Sequence, residues 1–197
     1  MLRNLLFYSV ISMFIIGNSL ADVKSKTAIF AGGCFWCMEP EFANIDGVSK
    51  VLSGYTGGHV VNPTYQQVSS GNTGHVEAIQ VSYDPAKVSY SKLLDIFWEN
   101  IDPLDEYGQF CDKGSQYRAG IFTFDEEQKK LAESSKEDIG KKLGQPITVI
   151  IKSASTFYPA EDYHQEFYIK SKDQYKRYRN GCGRDERLEQ LKKAGGK

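Results

Sequence analysis

The side chain most suited to chemistry in this sequence is Cys34, which follows Gly32 and Gly33 in the run GGCFWC. The two glycines allow a sharp turn where a short apolar strand gives way to a predicted helix. A thiol at the start of a helix lies beside unpaired backbone N–H groups that carry partial positive charge, which lowers the thiol pKa. We therefore expect Cys34 to be a nucleophile rather than an inert buried cysteine.

Three other cysteines, Cys37, Cys111 and Cys182, bring the total to four. Cys34 and Cys37 form a Cys-x-x-Cys pattern, which is typical of a redox disulfide, a metal pair or a haem attachment site. Haem attachment requires a histidine where this chain has Met38, and zinc requires a second close pair of ligands. A redox pair is therefore favoured, and we expect no metal site.

Glu77 is the one acidic residue in the predicted strand from His75 to Tyr83. The alternation of this strand favours a carboxylate that faces solvent. If Glu77 instead faces the core, desolvation raises its pKa and it holds a proton at neutral pH. A protonated acid beside a thiolate is a proton donor for a leaving oxygen.

The aromatic and polar residues near these groups allow more than one interpretation. Phe35 and Trp36 suit an apolar wall for a methyl or thioether group, and core packing is an equal alternative. Tyr117 can donate a hydrogen bond, and Asp112 can either cap a loop or order a water molecule. His164 lies in a predicted helix, where we expect a structural role.

The composition is that of an ordinary globular domain. Hydrophobic residues make up 41% and charged residues 25%, which allows a buried core without disulfide staples. Lys and Arg number 24 against 25 for Asp and Glu, so no basic surplus indicates nucleic acid binding.

Strands and helices alternate along the chain, and long irregular connections separate some of them. Periodicity and turn residues predict strands at 27–31, 48–55, 75–83, 119–124 and 147–152. Helices are predicted at 35–43, after a cap at Ser89 or Ser91, from Asp125 to 142, at 160–179 and after Asp185. We expect an α+β fold in which the irregular stretches 59–74 and 100–118 close over the turn at Cys34.

Residues 1–21 have the pattern of a secretory signal peptide. Arg3 precedes an apolar stretch from Leu5 to Ile16, and a small-x-small sequence ends at Ala21. We expect cleavage after Ala21, a single catalytic domain at 22–197, and an exported protein, periplasmic or secreted. The stretch is short for a transmembrane helix, and we expect no stable membrane insertion after cleavage. An uncleaved anchor and a buried helix are the alternatives.

Seven motifs give the chain a specific resemblance to a known family. In order, they are GGCFWC, SGYTGG, NPTY, GHVEA, YDP, GSQYR and AEDYHQ. Together they resemble the A-type peptide methionine sulfoxide reductases over about Thr27 to His164. The resemblance implies reduction of the S epimer of methionine sulfoxide, free or in proteins, and a two-layer α+β sandwich with a mixed sheet and a ferredoxin-like core.

The resemblance also implies roles for individual residues. Cys34 matches the family nucleophile and Glu77 the proton-donating acid. Tyr65 and Tyr117 match the tyrosines that bond the sulfoxide oxygen, and Asp112 matches an acid that orders the site. Phe35 and Trp36, in the same motif as the nucleophile, match the aromatic residues that bind the substrate methyl group.

The recycling of the nucleophile is where the sequence departs from many relatives. The reaction leaves the nucleophile as a sulfenic acid. A second cysteine then condenses with this sulfenic acid to form a disulfide. Cys182, Cys37 and Cys111 are all candidates for this resolving role, and the glycines that flank Cys182 favour it. The implied partner is an external dithiol reductant similar to thioredoxin, and no bound cofactor is expected.

Two other classes of protein compete with this interpretation. A thioredoxin-type disulfide oxidoreductase would use Cys34 and Cys37, but it leaves NPTY, GHVE and GSQYR without a role. A secreted binding module stapled by two disulfides would hold all four cysteines oxidised, and Cys34 would be unreactive.

Overall fold

Short apolar runs build the sheet, and amphipathic segments build the helices around it. The computed structural model describes residues 25–195, so the predicted signal peptide lies outside the described residues. The strands are β1 (Lys26–Ala31), β2 (Val48–Thr56), β3 (Val76–Tyr83), β4 (Gly108–Gln109), β5 (Asp112–Lys113), β6 (Gly120–Thr123), β7 (Ile150–Ser153) and β8 (Tyr158–Pro159). The helices are α1 (Phe35–Ala43), α2 (Tyr65–Ser69), α3 (Tyr90–Glu99), α4 (Glu126–Leu143), α5 (Phe167–Lys170), α6 (Lys172–Gly181) and α7 (Arg184–Gly195).

The central sheet is mixed and has six strands in the order β7-β6-β1-β3-β2-β8. All neighbouring pairs are antiparallel except β6 and β7, which are parallel. Apart from the inserted elements α2, β4 and β5, the chain from β1 to β6 has a βαββαβ sequence, and its four strands are ordered β6-β1-β3-β2 in the sheet. This is the ferredoxin-like arrangement that the resemblance implies.

Apolar side chains cover both faces of the sheet. On one face Phe30 stacks with Phe42 of α1 and Phe97 of α3, with ring centroids 5.3 Å apart in both pairs. On the other face Ile29 and Phe122 belong to a smaller cluster that residues of the segment 154–157 complete. Neighbouring residues of a strand point to opposite faces of the sheet. Consecutive residues of β1 and β3 are buried, so these central strands are covered on both faces.

Most of the predicted helix starts agree with the structure. Ser89 caps α3 by accepting from the Lys92 N–H at 3.1 Å, and Asp125 caps α4 by accepting from the Gln128 N–H at 2.8 Å. The predicted irregular stretch 59–74 contains the short helix α2, which Thr64 begins with a capping box. Among the helices of residues 25–195, none is long and apolar enough to cross a membrane.

The prediction of one helix over 160–179 is wrong. The strand β8 pairs with β2 directly before this region, and the Ala160 N–H donates to the Ser53 carbonyl at 2.9 Å. The Gln165 side chain bonds both the N–H and the carbonyl of Ser53, so the segment is attached to β2 instead of continuing as a helix. Glu166 has a φ of 54°, which separates this turn from α5 and α6.

Candidate active site

Cys34 lies at the junction between β1 and α1, where two glycines were predicted to form a turn. Gly33 has a φ of 80°, and a Cβ at this position would lie 2.6 Å from Cβ of Gln109. Only glycine therefore fits both the backbone conformation and the space. Cys34 is the N-cap of α1 and is 6% exposed, so its sulfur lies under a cover of neighbouring side chains.

Glu77 faces the same turn from β3 and is 2% exposed, so the expectation of a solvent-facing carboxylate is wrong. Its side chain lies on the face of the sheet that α1 covers, and its Oε2 accepts the Phe35 N–H at 3.1 Å. Burial raises the pKa of Glu77 to about 8, although the hydrogen bond from Phe35 acts in the opposite direction. The carboxyl group is therefore mostly protonated at neutral pH.

The expectation of a lowered pKa for Cys34 is also wrong in this resting structure. Burial raises the pKa of the Cys34 thiol, and contacts with Cys37 and Glu77 raise it further. The first N–H of α1, which was expected to stabilise a thiolate, donates instead to Glu77. The resting site therefore holds a protonated thiol next to a protonated acid.

Three polar residues converge on this pair: Tyr65 from the stretch 59–74, and Asp112 and Tyr117 from the stretch 100–118. Burial raises the pKa of Tyr117, and the charges of Glu77, Asp112 and Cys34 raise it further, as expected of a phenol surrounded by these groups. Burial and the charges of Glu77 and Cys34 also raise the pKa of Tyr65, which shares a side-chain hydrogen bond with Tyr117. Both phenols therefore remain protonated donors at any physiological pH.

An aromatic group lies beside Cys34 and contains both residues that were matched to methyl binding. Phe35 is fully buried, while Trp36 is partly exposed and stacks on Phe167 with centroids 3.7 Å apart. The Trp36 Nε1 donates to His164 Nδ1 at 3.0 Å, and the His164 ring lies 4.5 Å from that of Tyr65. Burial lowers the pKa of His164, so the ring is neutral and accepts at Nδ1.

A buried thiol, a protonated acid and two phenols beside an aromatic surface can reduce a polar oxide that carries a small apolar group. The model of the peptide methionine sulfoxide reductase family matches residues 26–195. The chain belongs to this family. Its membership makes the protein a thiol-dependent oxidoreductase and weighs against the thioredoxin-type and binding-module alternatives.

Individual relatives agree with the family assignment. Peptide methionine sulfoxide reductase MsrA of Listeria monocytogenes serotype 4b (strain CLIP80459) is 54% identical over 161 residues, which cover 81% of this chain and 91% of the relative. The reduced form of Mxr1 from Saccharomyces cerevisiae is 32% identical with a TM-score of 0.73, over 77% of this chain and 88% of Mxr1. Mxr1 in complex with Trx2 matches with 25% identity and a TM-score of 0.54, over 74% of this chain and 86% of Mxr1.

Two residues of this reductase site were not predicted from the sequence, and both come from its C-terminal helices. Tyr178 of α6 donates from its hydroxyl to Asp112, shares a hydrogen bond with the Cys34 thiol, and places its ring edge against Trp36. Arg184 of α7 is 1% exposed and donates to the carbonyl of Gly32 in the turn that holds Cys34. The polar sequence of α6 gives no sign that it covers a buried site.

Glu161 is a third residue that sequence reasoning did not identify, although the AEDYHQ motif contains it. Its carboxylate accepts from the Tyr55 hydroxyl and from the Tyr65 N–H, both at 2.8 Å. Burial opposes ionisation of Glu161, but these hydrogen bonds outweigh it and lower the pKa. The motif therefore fixes the backbone position of Tyr65 at the site.

The four cysteines of this reductase divide into two pairs in the structure. Cys34 and Cys37 are free and buried, and the Cys37 N–H donates to the Cys34 carbonyl at 3.0 Å. Cys111 and Cys182 form a disulfide with their Cα atoms 4.9 Å apart. The protein is therefore neither stapled at all four cysteines nor fully reduced.

Proposed function

We propose that the protein reduces the S epimer of methionine sulfoxide, free or within proteins, with Cys34 as the nucleophile. The observation that carries this proposal is that Cys34 and the buried acid Glu77 meet at the first turn of α1, where Glu77 accepts the Phe35 N–H. A nucleophile and a proton donor at one turn are what displacement of a sulfoxide oxygen requires.

In the first step Glu77 gives its proton to the sulfoxide oxygen as the Cys34 sulfur attacks the substrate sulfur. The thiol proton passes to the Glu77 carboxylate, and the oxygen transfers to the Cys34 sulfur. The products are methionine and a sulfenic acid on Cys34. Tyr65 and Tyr117 stabilise the charge that develops on the oxygen, because the raised pKa of each keeps it a hydrogen-bond donor.

The substrate methyl group packs against the aromatic residues beside the nucleophile. Trp36 is the partly exposed member of this group and is held in place by Phe167 and His164. Phe35 is buried and forms the inner wall. Asp112 acts through Tyr178. Its carboxylate accepts a hydrogen bond from the Tyr178 hydroxyl and so fixes this side chain at the site.

Cys37 resolves the sulfenic acid in our proposal, in place of Cys182, which the sequence had favoured. Cys34 is the N-cap of α1 and Cys37 is its third residue, so both lie on one side of the first turn. Their side chains share a hydrogen bond, whereas Cys182 is bonded to Cys111. Condensation of the Cys37 thiol with the sulfenic acid gives a Cys34–Cys37 disulfide and one water molecule.

An external dithiol protein of the thioredoxin type returns the enzyme to its reduced state. The relative Mxr1 is known in complex with Trx2, which supports a partner of this kind for the present chain. We also propose that residues 1–21 direct export and that the catalytic domain comprises residues 22–197. N-terminal sequencing of the exported protein tests this, since a mature chain that begins at Asp22 is expected and one that begins at Met1 would contradict it.

The reaction is tested by measuring dithiothreitol-dependent reduction of the two separate epimers by residues 22–197 and by Cys34→Ser. We expect the wild type to reduce only the S epimer and the variant to reduce neither. The R epimer is the internal control for nonspecific thiol chemistry. Reduction of insulin disulfides without turnover of either epimer would reject the proposal.

A further inference from the structure

The disulfide between Cys111 and Cys182 has no part in the reaction proposed above, yet it lies at the edge of the active site. Cys111 is at the tip of a hairpin formed by β4 and β5, and Asp112 is the next residue. Cys182 follows α6, and its N–H donates to the carbonyl of Tyr178 at 2.9 Å. Both cysteines are therefore attached to residues that contact the nucleophile or its neighbours.

The two cysteine pairs differ in their access to solvent. Cys34 is 6% exposed and Cys37 is 1% exposed, and Tyr178 lies against the thiol of Cys34. Cys111 is exposed and Cys182 is partly exposed. Thiol–disulfide exchange requires the attacking sulfur of a reductant to reach a disulfide sulfur directly. As the chain is folded here, the surface pair is open to a dithiol reductant, whereas side chains cover the buried pair.

Arg184 connects the two pairs. Its Nη2 donates to the carbonyl of Gly32 at 3.2 Å and contacts Sδ of Met38 at 3.0 Å, so it lies beside the segment that holds the buried cysteines. Its guanidinium stacks on the ring of Phe110, 4.4 Å from the centroid, next to Cys111. Arg184 is also only two residues from Cys182. One buried side chain therefore spans the distance between the pairs.

We propose that Cys111 and Cys182 form a second redox pair, which takes up the oxidation of the buried disulfide and presents it at the surface to the external reductant. This inference rests on the proposed function, because it takes the Cys34–Cys37 disulfide as its starting point. The structure holds the buried pair as thiols and the surface pair as a disulfide. This is the state expected after the oxidation has passed from the buried pair to the surface pair and before the external dithiol reduces the surface disulfide.

The transfer balances as two successive thiol–disulfide exchanges. The Cys182 thiolate attacks Sγ of Cys34, a Cys34–Cys182 bond forms, and Cys37 leaves as a thiolate. The Cys111 thiolate then attacks Sγ of Cys182, and Cys34 leaves and is protonated. Two electrons pass from the surface pair to the buried pair, and a dithiol of the thioredoxin type later returns two electrons to the surface pair.

The choice of Cys34 as the sulfur attacked follows from its surroundings. Tyr178, one helical turn before Cys182, already contacts the Cys34 thiol. Cys37 lies in the helix turn beside the buried guanidinium of Arg184, whose charge lowers the pKa of Cys37 and favours its departure as a thiolate. Cys37 is therefore the better leaving group of the buried pair.

The approach of Cys182 to Cys34 requires movement at the junction of α6 and α7. Gly183 follows Cys182 with a φ of 68°, and a Cβ placed on it would meet no atom within 4 Å. The junction is thus a glycine turn with free space around it. Reduction of the surface disulfide removes the covalent link that fixes Cys182 to the hairpin.

The proposal is tested by counting methionine molecules formed from excess S-sulfoxide by fully reduced protein, after removal of all dithiothreitol. If the two thiol pairs exchange disulfides, each pair supplies two electrons, and the wild type is expected to form about two methionines per chain. The variant Cys111→Ser/Cys182→Ser is expected to give about one and to stop with a Cys34–Cys37 disulfide. Arg179→Ala, which loosens α6 without removing a cysteine, is the matched control and is expected to give about two, like the wild type.

Peptide mapping and steady-state turnover complete the test. After one equivalent of substrate, the wild type is expected to contain a Cys111–Cys182 disulfide and free Cys34 and Cys37. With thioredoxin, thioredoxin reductase and NADPH as the probe, we expect the double variant to lose at least about ten-fold in turnover. A wild type that stops at one methionine with Cys111 and Cys182 still reduced would overturn the proposal, as would equal thioredoxin-supported turnover in the double variant. Failure of the proposed function is distinct, since then no methionine forms at all.

Discussion

The two regions that carry the cysteine pairs are held together by different forces. Cys34 and Cys37 lie at the start of α1, directly after β1. Backbone hydrogen bonds place β1 at the centre of the sheet, and aromatic packing attaches α1 to it. Cys182 lies in a C-terminal region, α6 and α7, that side-chain contacts attach to the rest of the molecule. Arg179 pairs with Glu41 at 2.7 Å in this region, and Arg187 pairs with Asp102 at the same distance.

This difference suits the two tasks that the regions perform. Sulfoxide reduction requires the nucleophile and the acid to stay within a few tenths of an ångström of their places, which a packed sheet provides. Transfer of oxidation to the surface requires a segment that opens at low cost, and elements with few buried apolar contacts are the ones that open locally. The buried residues of α7 are only Arg184 and Leu188, and α6 has none.

The largest effect on stability is expected from truncation in the sheet core. Phe30 is fully buried and stacks with Phe42, Tyr90 and Phe97. Phe30→Ala leaves a cavity among these rings and is expected to lower the free energy of unfolding by about 3–5 kcal/mol, measured by urea denaturation. A loss below about 1 kcal/mol would show that the rings do not form the centre of the core.

Reduction of the Cys111–Cys182 disulfide is expected to act on the C-terminal region alone. The disulfide joins residues 71 apart and attaches the end of α6 to the hairpin of β4 and β5, so its loss is expected to lower the free energy of local opening of α6 and α7 by about 2–4 kcal/mol. Amide hydrogen exchange should become faster in α6 and α7 and stay unchanged in β1 and β3, in comparisons of oxidised and reduced protein. If amide exchange in β1 and β3 accelerated as much as in α6 and α7, the proposed difference between the two regions would be contradicted.

Glu77→Gln is expected to stabilise the protein, because a buried ionisable acid has a cost that grows with pH. The folded chain keeps the Glu77 proton up to a pKa of about 8, whereas the ordinary value is 4.5. The folded state therefore binds the extra proton, so wild-type stability falls by about 1.4 kcal/mol per pH unit between these values. Thermal denaturation from pH 5 to 8 should show an advantage for the variant that increases with pH; a constant difference would contradict the burial of Glu77.

The smallest effect is expected from the ion pair that attaches α6 to α1. Arg179 donates to Glu41 and to Asp185, and its side chain is only partly buried. Arg179→Ala is expected to cost about 1 kcal/mol, and the loss should decrease in high salt. Lys141→Ala on α4, where the charged groups are exposed, is the matched control and should change stability by less than about 0.5 kcal/mol.

The sequence predicted the rigid region better than the C-terminal one, for physical reasons. The helix α1 and its start at Cys34 follow from local signals, namely two glycines and an apolar run, and the structure confirms both. The burial of Glu77 did not follow from local signals, because β3 is covered on both faces and alternation then says nothing about exposure. The contact of Tyr178 with the thiol depends on the packing of a polar helix that is distant in sequence.

The central claim is that Glu77 protonates the sulfoxide oxygen as Cys34 attacks. It is tested most directly by the single-turnover rate of methionine formation for the wild type and Glu77→Gln between pH 5 and 9.5. We predict that the wild-type rate falls as pH rises through about 8, where Glu77 loses its proton, and that the variant is slower by about 10²–10⁴-fold without that step. A variant that forms methionine at the wild-type rate, with the same pH profile, would contradict the account.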